Sequence, residues 1–130
     1  MLVAVTRLRV RSFRYLLAFA YYAGRSRRQA ERTSGCLGVR VRKTRGLAFW
    51  TLTFWDSEAS MRRYMAQHPH RAAMPKLSRW CDEAAVAHWV HDSSEGPDWH
   101  YAEGYLSRHG RLSRVLHPSE LQMKGIVSVA

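Results

Sequence analysis

The stretch Leu47–Trp89, LAFWTLTFWDSEASMRRYMAQHPHRAAMPKLSRWCDEAAVAHW, decides the fold. Leu47–Trp55 alternates bulky with small residues and is rich in aromatic and β-branched types, which suit a pleated, half-buried strand. Asp56 and Ser57 follow with short side-chain oxygens suited to accept the free N–H groups of a helix start. Met61, Tyr64, Met65 and His68 recur at i, i+3, i+4 and i+7, one helical face. Pro69 interrupts that helix, because proline lacks an N–H and clashes with the preceding turn. A second short helix around Pro75–Cys81 carries Leu77 and Trp80, with Asp82 and Glu83 at its end in a salt-bridge or turn role, and Ala84–Val90 returns as a strand. A strand facing a stripe of Met, Tyr and His can enclose a pocket, the expected functional site.

Upstream, Leu2–Arg11 sets Leu2, Ala4, Thr6, Leu8 and Val10 against Val3, Val5, Arg7, Arg9 and Arg11, the alternation of a strand. Ser12 can cap the next helix, whose core stripe is expected at Phe13, Leu16, Leu17, Ala20 and Tyr21. Its second half carries Arg25, Arg27, Arg28 and Arg32, which suit the negative end of a helix dipole, and Gly35 can close it. Cys36–Lys43 alternates Leu37, Val39 and Val41 against Gly38, Arg40 and Arg42, an expected edge strand with an exposed basic side. Downstream, DSSEGPD (92–98) reads as a linker, followed by a helix from Asp98 or Trp99 to near Gly110. The segment from Arg111 to Gly125 is expected as an extended cover, and Ile126–Val129 as a terminal strand.

The order strand–helix–strand–strand–helix–strand predicts an α+β, ferredoxin-like βαββαβ domain, an antiparallel sheet with both helices on one face. Val3 and Val5 then lie on the other face and need a cover, for which a partner subunit is expected. The chain divides into residues 1–92, the ferredoxin-like domain, and residues 93–130, a C-terminal extension packing on it.

Composition bounds the function. The 130 residues, 46% hydrophobic and 24% charged, suit one domain with a sizeable core. The apolar run Tyr15–Gly24 is far shorter than the roughly 18–20 residues of a membrane span. Arginines at 7, 9, 11 and 14 break up any signal-peptide pattern, so a cytoplasmic location and no membrane partner are expected. Cys36 and Cys81 make no disulfide framework; their expected roles are a small strand residue and a helix-end residue. The net charge of +11 points to an anionic partner or to an arginine-rich coding bias. Nucleic acid is not an expected partner, since no recognition module is evident; that alternative needs a contiguous patch from Arg7, Arg9, Arg40 and Arg42. His68-x-His70 and His88-x-x-His91 are incomplete as zinc sites, and no metal is expected. No phosphate-cradling glycine loop, Ser/His/Asp arrangement or dinucleotide fingerprint occurs.

The segment TLTFWDSEASMRRYMAQHPHRAAM (51–74) resembles the antibiotic biosynthesis monooxygenase superfamily, the dimeric α+β barrels. HRAAMPKLSRWCDEAAVAHW (70–89) and WHYAEGYLSRHGRLSRVLHPS (99–119) are similar to its uncharacterised relatives near spheroidene monooxygenase. The resemblance implies a homodimer and a hydrophobic small-molecule ligand. Haem-degrading members carry an Asn, a Trp and a His at positions that hold Thr6, Tyr64 and Met74 here, three departures from that pattern. Met74, with His70 one turn before it, is a residue type that can ligate haem iron, so haem binding is a weaker alternative. The cofactor-free members bind an electron-rich phenol, favour its anion and exclude water. For that chemistry the candidate catalytic residues are His70, His68, Tyr64 and Arg71, with Thr6, Trp50, Trp55, Met74 and Trp80 as substrate contacts and no cofactor. The runner-up is a non-catalytic dimeric ligand-binding or accessory protein on the same fold.

Overall fold

The computed structural model describes residues 1–67 and 70–130, with the backbone alone at His70. Its elements are β1 (Leu2–Val10), a single 3-10 turn (Phe13–Tyr15), α1 (Leu16–Arg32), β2 (Cys36–Lys43), β3 (Ala48–Trp55), α2 (Glu58–Ala66), α3 (His70–Trp80), β4 (Cys81–Val90), α4 (Trp99–His109), β5 (Arg111–Leu112) and α5 (Glu120–Met123). The strands form one antiparallel sheet in the order β2-β3-β1-β4-β5, an open ferredoxin-like sheet with a short fifth strand added at one edge. The sheet does not close into a barrel.

Local chemistry places the helix starts as the sequence predicts. Ser12, Ser57 and Asp98 each accept a backbone N–H at a helix or turn start, from Arg14, Ser60 and Tyr101 respectively. Gly35 adopts φ +94, and a Cβ there would meet Ser60 Oγ at 2.1 Å, so the turn after α1 needs glycine for both backbone and space.

Register sorts the residues into two faces. Val3, Val5, Trp50, Leu52, Phe54, Ala85, Ala87 and Trp89 form one buried cluster with Ala102 and Leu106 of α4. On the opposite, helix-covered face, one cluster gathers Val10, Phe19, Cys81, Ala84 and Val115. Another gathers Leu2, Ala30, Trp55 and Met61.

Several expectations are corrected. Val3 and Val5 are wholly buried by this chain's own α4, with Val127 and Val129 alongside, so that face needs no partner subunit. The core stripe of α1 is not Phe13, Leu17 and Tyr21, which are 78%, 86% and 58% exposed; Phe19 and Ala30 are the buried residues instead. The first turns of this helix are apolar on all sides, so periodicity cannot select a face. α3 starts five residues before Pro75. The carbonyl deprived of its donor by that proline is that of exposed Arg71, which water can satisfy. Cys81, Asp82 and Glu83 belong to β4, not to a helix end, because Val10 pairs with Cys81 across a bulge in β1. Met65 points outward. The tail contains β5 and α5, and Ile126–Val129 is not a strand.

The arginines of β2 have partners within the chain, although Arg40 stays exposed as expected. Arg40 lies over the Phe54 ring (5.1 Å) and donates to the Pro97 carbonyl, while Arg42 lies over Trp50 (5.3 Å) and Trp99 (4.7 Å) and pairs with Glu103. Arg7 pairs with Glu83 at 2.8 Å and Arg9 with Asp82 at 2.8 Å. The patch required for a nucleic-acid surface therefore does not form at these four arginines.

The two thiols are sequestered to different degrees. Cys81 is buried and its thiol is pushed up to about 12, first by burial and then by the charge of Asp82. Cys36 is half-buried and its thiol is raised by burial as well. In native protein at about pH 8, a disulfide reagent is expected to label Cys36 slowly and Cys81 only after unfolding. Equal native labelling rates for the two would contradict this placement.

Candidate functional site

The helix-covered face of the sheet carries a polar band between its two apolar clusters. Along β1 the inward residues run Leu2, Ala4, Thr6, Leu8 and Val10; along β3 they run Phe49, Thr51, Thr53 and Trp55. Thr6 stands opposite Thr51 on one side and Val86 on the other. Thr6, Thr51 and Val86 are half-buried, and Thr53 is buried. None of the three threonine hydroxyls has a hydrogen-bond partner among the described residues. Such hydroxyls, flanked by apolar walls, suit a small ligand with one polar edge.

At one end of this band Trp55 and Tyr64 stack, ring centroids 5.4 Å apart and 30° between planes. Trp55 is fully buried, and its indole N–H has no acceptor among the described residues. The Tyr64 phenol is held well above its ordinary value of 10.0, mainly by burial, against a lowering hydrogen bond with Ser26 of α1. It is a neutral donor or acceptor at physiological pH and not a base. A raised folded pKa leaves stability intact below 10 and erodes it as pH rises above 10. Tyr64→Phe is therefore expected to flatten the fall in the denaturant midpoint between about pH 9 and 11. A fall identical to that of the parent protein would contradict it.

The other candidates are dispersed. Trp50 is buried on the opposite sheet face, where its indole donates to Thr44 Oγ1 at 3.2 Å and its ring meets Trp99 edge-on. Trp80 packs in the cluster around Phe19 and lies 5.7 Å from the Tyr22 ring. Arg71 and Met74 lie on the exposed side of α3, while Ala73 is buried on its inner side. His68 lies outside the described residues, as does the His70 side chain; the backbone of α3 begins at His70, next to the Arg71 N–H, which bonds the Gln67 carbonyl at 2.9 Å. The structure thus brings together Thr6, Trp55 and Tyr64 on one side of the sheet and separates Trp50 and Trp80 from the band. Sequence reading missed Thr51 and Thr53. Their signal was the alternation TLTF, which turns residues 51 and 53 away from Trp50 and Leu52 and onto the face of Thr6.

Among the described residues, no three His, Cys, Asp or Glu side chains gather to hold a metal ion. No helix among them is long and apolar enough to cross a membrane.

No protein-family model matches the sequence, and no curated protein matches it. Solved structures do match its fold. The chain is similar to an antibiotic biosynthesis monooxygenase, with TM-score 0.64 and 10% identity, over 72% of this chain and 100% of the other. It is similar to SnoaB, a cofactor-independent oxygenase from Streptomyces nogalater, with TM-score 0.57 and 16% identity, over 74% of this chain and 97% of the other. It is also similar to Rv0793 from Mycobacterium tuberculosis, with TM-score 0.66 and 9% identity, over 73% and 98%. The chain has the fold of these structures, as the resemblance implies; the narrower likeness to spheroidene monooxygenase relatives has no counterpart in these matches.

Proposed function

We propose that the chain is a cofactor-independent monooxygenase acting on a hydrophobic small molecule of phenol or polyene type. The observation that carries the reading is the band of free hydroxyls at Thr6, Thr51 and Thr53, set between apolar clusters in a fold shared with a cofactor-independent oxygenase. In this reading an aromatic substrate lies on the band with Trp55 as a wall. A histidine at position 68 or 70 takes the phenolic proton, imidazole being the base suited to neutral pH. Tyr64 and the threonines hold the resulting oxyanion by hydrogen bonds, and Arg71 adds positive charge from the exposed side of α3. The anion then reacts with O₂; for a simple phenol the balance is phenol plus O₂ giving quinone plus water. Met74, exposed on the outer side of α3, takes no part, and Trp50 and Trp80 serve packing. No cofactor is needed. The homodimer expected from the resemblance rests on that resemblance alone and would use a surface other than the one under α4, to be checked by native mass. The second reading, a non-catalytic dimeric binding or accessory protein on the same fold, predicts these residues packed solid or facing solvent, and the exposure of Arg71 favours it.

The test is oxygen uptake with a panel of phenols and polyenes, on the parent protein and on His68→Ala and His70→Ala. Turnover in the parent and its loss by roughly 100-fold or more in either variant are expected. Full activity in both variants would remove the histidines from the site. Saturable binding of a phenol with no oxygen uptake would favour the binding protein.

A further inference from the structure

The C-terminal half of α1 places Arg25, Arg28 and Arg32 at i, i+3 and i+7, one side of the helix. Arg63 of α2 approaches the same side, and the four arginines line a cavity of about 530 Å³ together with Thr33 and Ser34. Gln29 forms part of its wall and ties the two helices together, donating to the Tyr64 carbonyl at 3.0 Å and to the Gln67 carbonyl at 3.3 Å.

Among the described residues no carboxylate lines this cavity. Glu31 is engaged with Arg27 at 3.0 Å, and Asp56 is held by Ser60 at 2.6 Å and by Ser57. Among the described residues Arg63 donates to Ser60 Oγ at 3.0 Å and the Ser34 carbonyl at 3.5 Å, and it lies near the Asp56 carboxylate, which is outside the cavity lining. Arg25 lies over the Tyr21 ring at 5.7 Å. Arg28 and Arg32 have no hydrogen-bond or ion-pair partner among the described residues. Four like charges around one concavity repel one another, and the helix dipole accounts for one or two of them at most.

We infer that this cavity binds a small anion through a diphosphate group. The guanidinium fork matches phosphate oxygens two at a time, and four forks exceed what a single carboxylate can engage. The hydroxyls of Thr33 and Ser34 add neutral donors at the rim. Among the described residues no aromatic ring lines the cavity, so the recognised element is the phosphate group and not a stacked base. A nucleic-acid strand fits less well. It would need a basic track leading out of the cavity, and Arg7, Arg9, Arg40 and Arg42 are all engaged within the protein. The site lies against α1 and α2 and is lined by none of Thr6, Thr51 and Thr53, so it stands whatever the outcome of the oxygenase assay.

The test is calorimetric titration of the full chain with inorganic pyrophosphate, ADP and an oligothymidylate, at two salt concentrations. Arg28→Ala/Arg32→Ala is compared with Arg45→Ala/Arg114→Ala, which removes the same charge from exposed positions elsewhere. Thermal melts confirm that both variants fold. Pyrophosphate is expected to bind the parent, to weaken by at least about tenfold in the first variant, and to stay within about twofold in the second. Equal affinity for ADP assigns the site to the diphosphate alone, and tighter ADP binding adds a nucleoside beyond it; either result supports the inference. Absence of pyrophosphate binding at millimolar concentration, equal losses in the two variants, or preference for the oligothymidylate would overturn it.

Discussion

Replacing Glu83 with alanine is expected to destabilise the protein by about 3–5 kcal/mol, the range for breaking a buried ion pair from one side. The side chains of Arg7 and Glu83 are each only 4% exposed and meet at 2.8 Å. Glu83 also accepts from Ser119 Oγ at 2.7 Å and lies 3.5 Å from Arg9. Its removal strands the Arg7 guanidinium in the interior, where Nε has no partner even in the intact protein among the described residues. The remaining contact of that guanidinium is the Ala130 carbonyl at 2.8 Å, so the tail is expected to loosen as well. The measurement is denaturant unfolding of Glu83→Ala beside Arg7→Met/Glu83→Leu. The double replacement removes both charges and should recover a large part of the loss. A single variant as stable as the parent would mean that water already reaches the pair.

The second large effect is expected from removing residues 93–130. Val3, Val5, Trp50, Leu52 and Phe54 are buried beneath α4, and a fully buried large side chain contributes about 1.5–3 kcal/mol. Five such residues laid bare approach the whole stability of an ordinary domain, roughly 5–15 kcal/mol. They would also form a contiguous apolar patch of the kind that drives association. The shortened chain is therefore expected to aggregate or to pair through this face, while the full chain keeps the face to itself. Leu106→Ala, a milder probe of the same contact, should cost about 2–5 kcal/mol. Sedimentation of residues 1–92 as a folded monomer with an unchanged melting temperature would show that α4 and the tail contribute little.

How much of this was legible in the sequence depended on the range of the interactions involved. The alternation in Leu2–Val10 and Ala48–Trp55 marks strands because side chains on a pleated backbone switch faces at each residue. Ser57 and Asp98 marked helix starts because their hydroxyl and carboxylate accept N–H groups two or three residues on. Position 13 to 22 of the chain was less informative. Phe13, Leu16, Leu17, Phe19, Tyr21 and Tyr22 surround the helix, and only docking on β3, where Phe19 meets Phe49 at 4.9 Å, selects the buried side. Arg40 and Arg42 looked like a solvated face, since nothing near them in sequence announces the rings of Trp99 and Phe54. The threonine band was half legible: Thr6 stood out, but its partners Thr51 and Thr53 become neighbours only through strand pairing.

The sequence by itself determined the order of strands and helices, the two faces of each strand, and hence an α+β, ferredoxin-like sheet. Those features rest on chemistry within a strand or a helical turn. Tertiary structure alone decided that α4 covers Val3 and Val5, that Arg7 closes on Glu83 across 76 positions of sequence, and that Trp50 and Thr6 lie on opposite sides of the sheet. The physical reason is that a docking choice is made by the complementary surface a distant segment presents, and no local propensity carries that information.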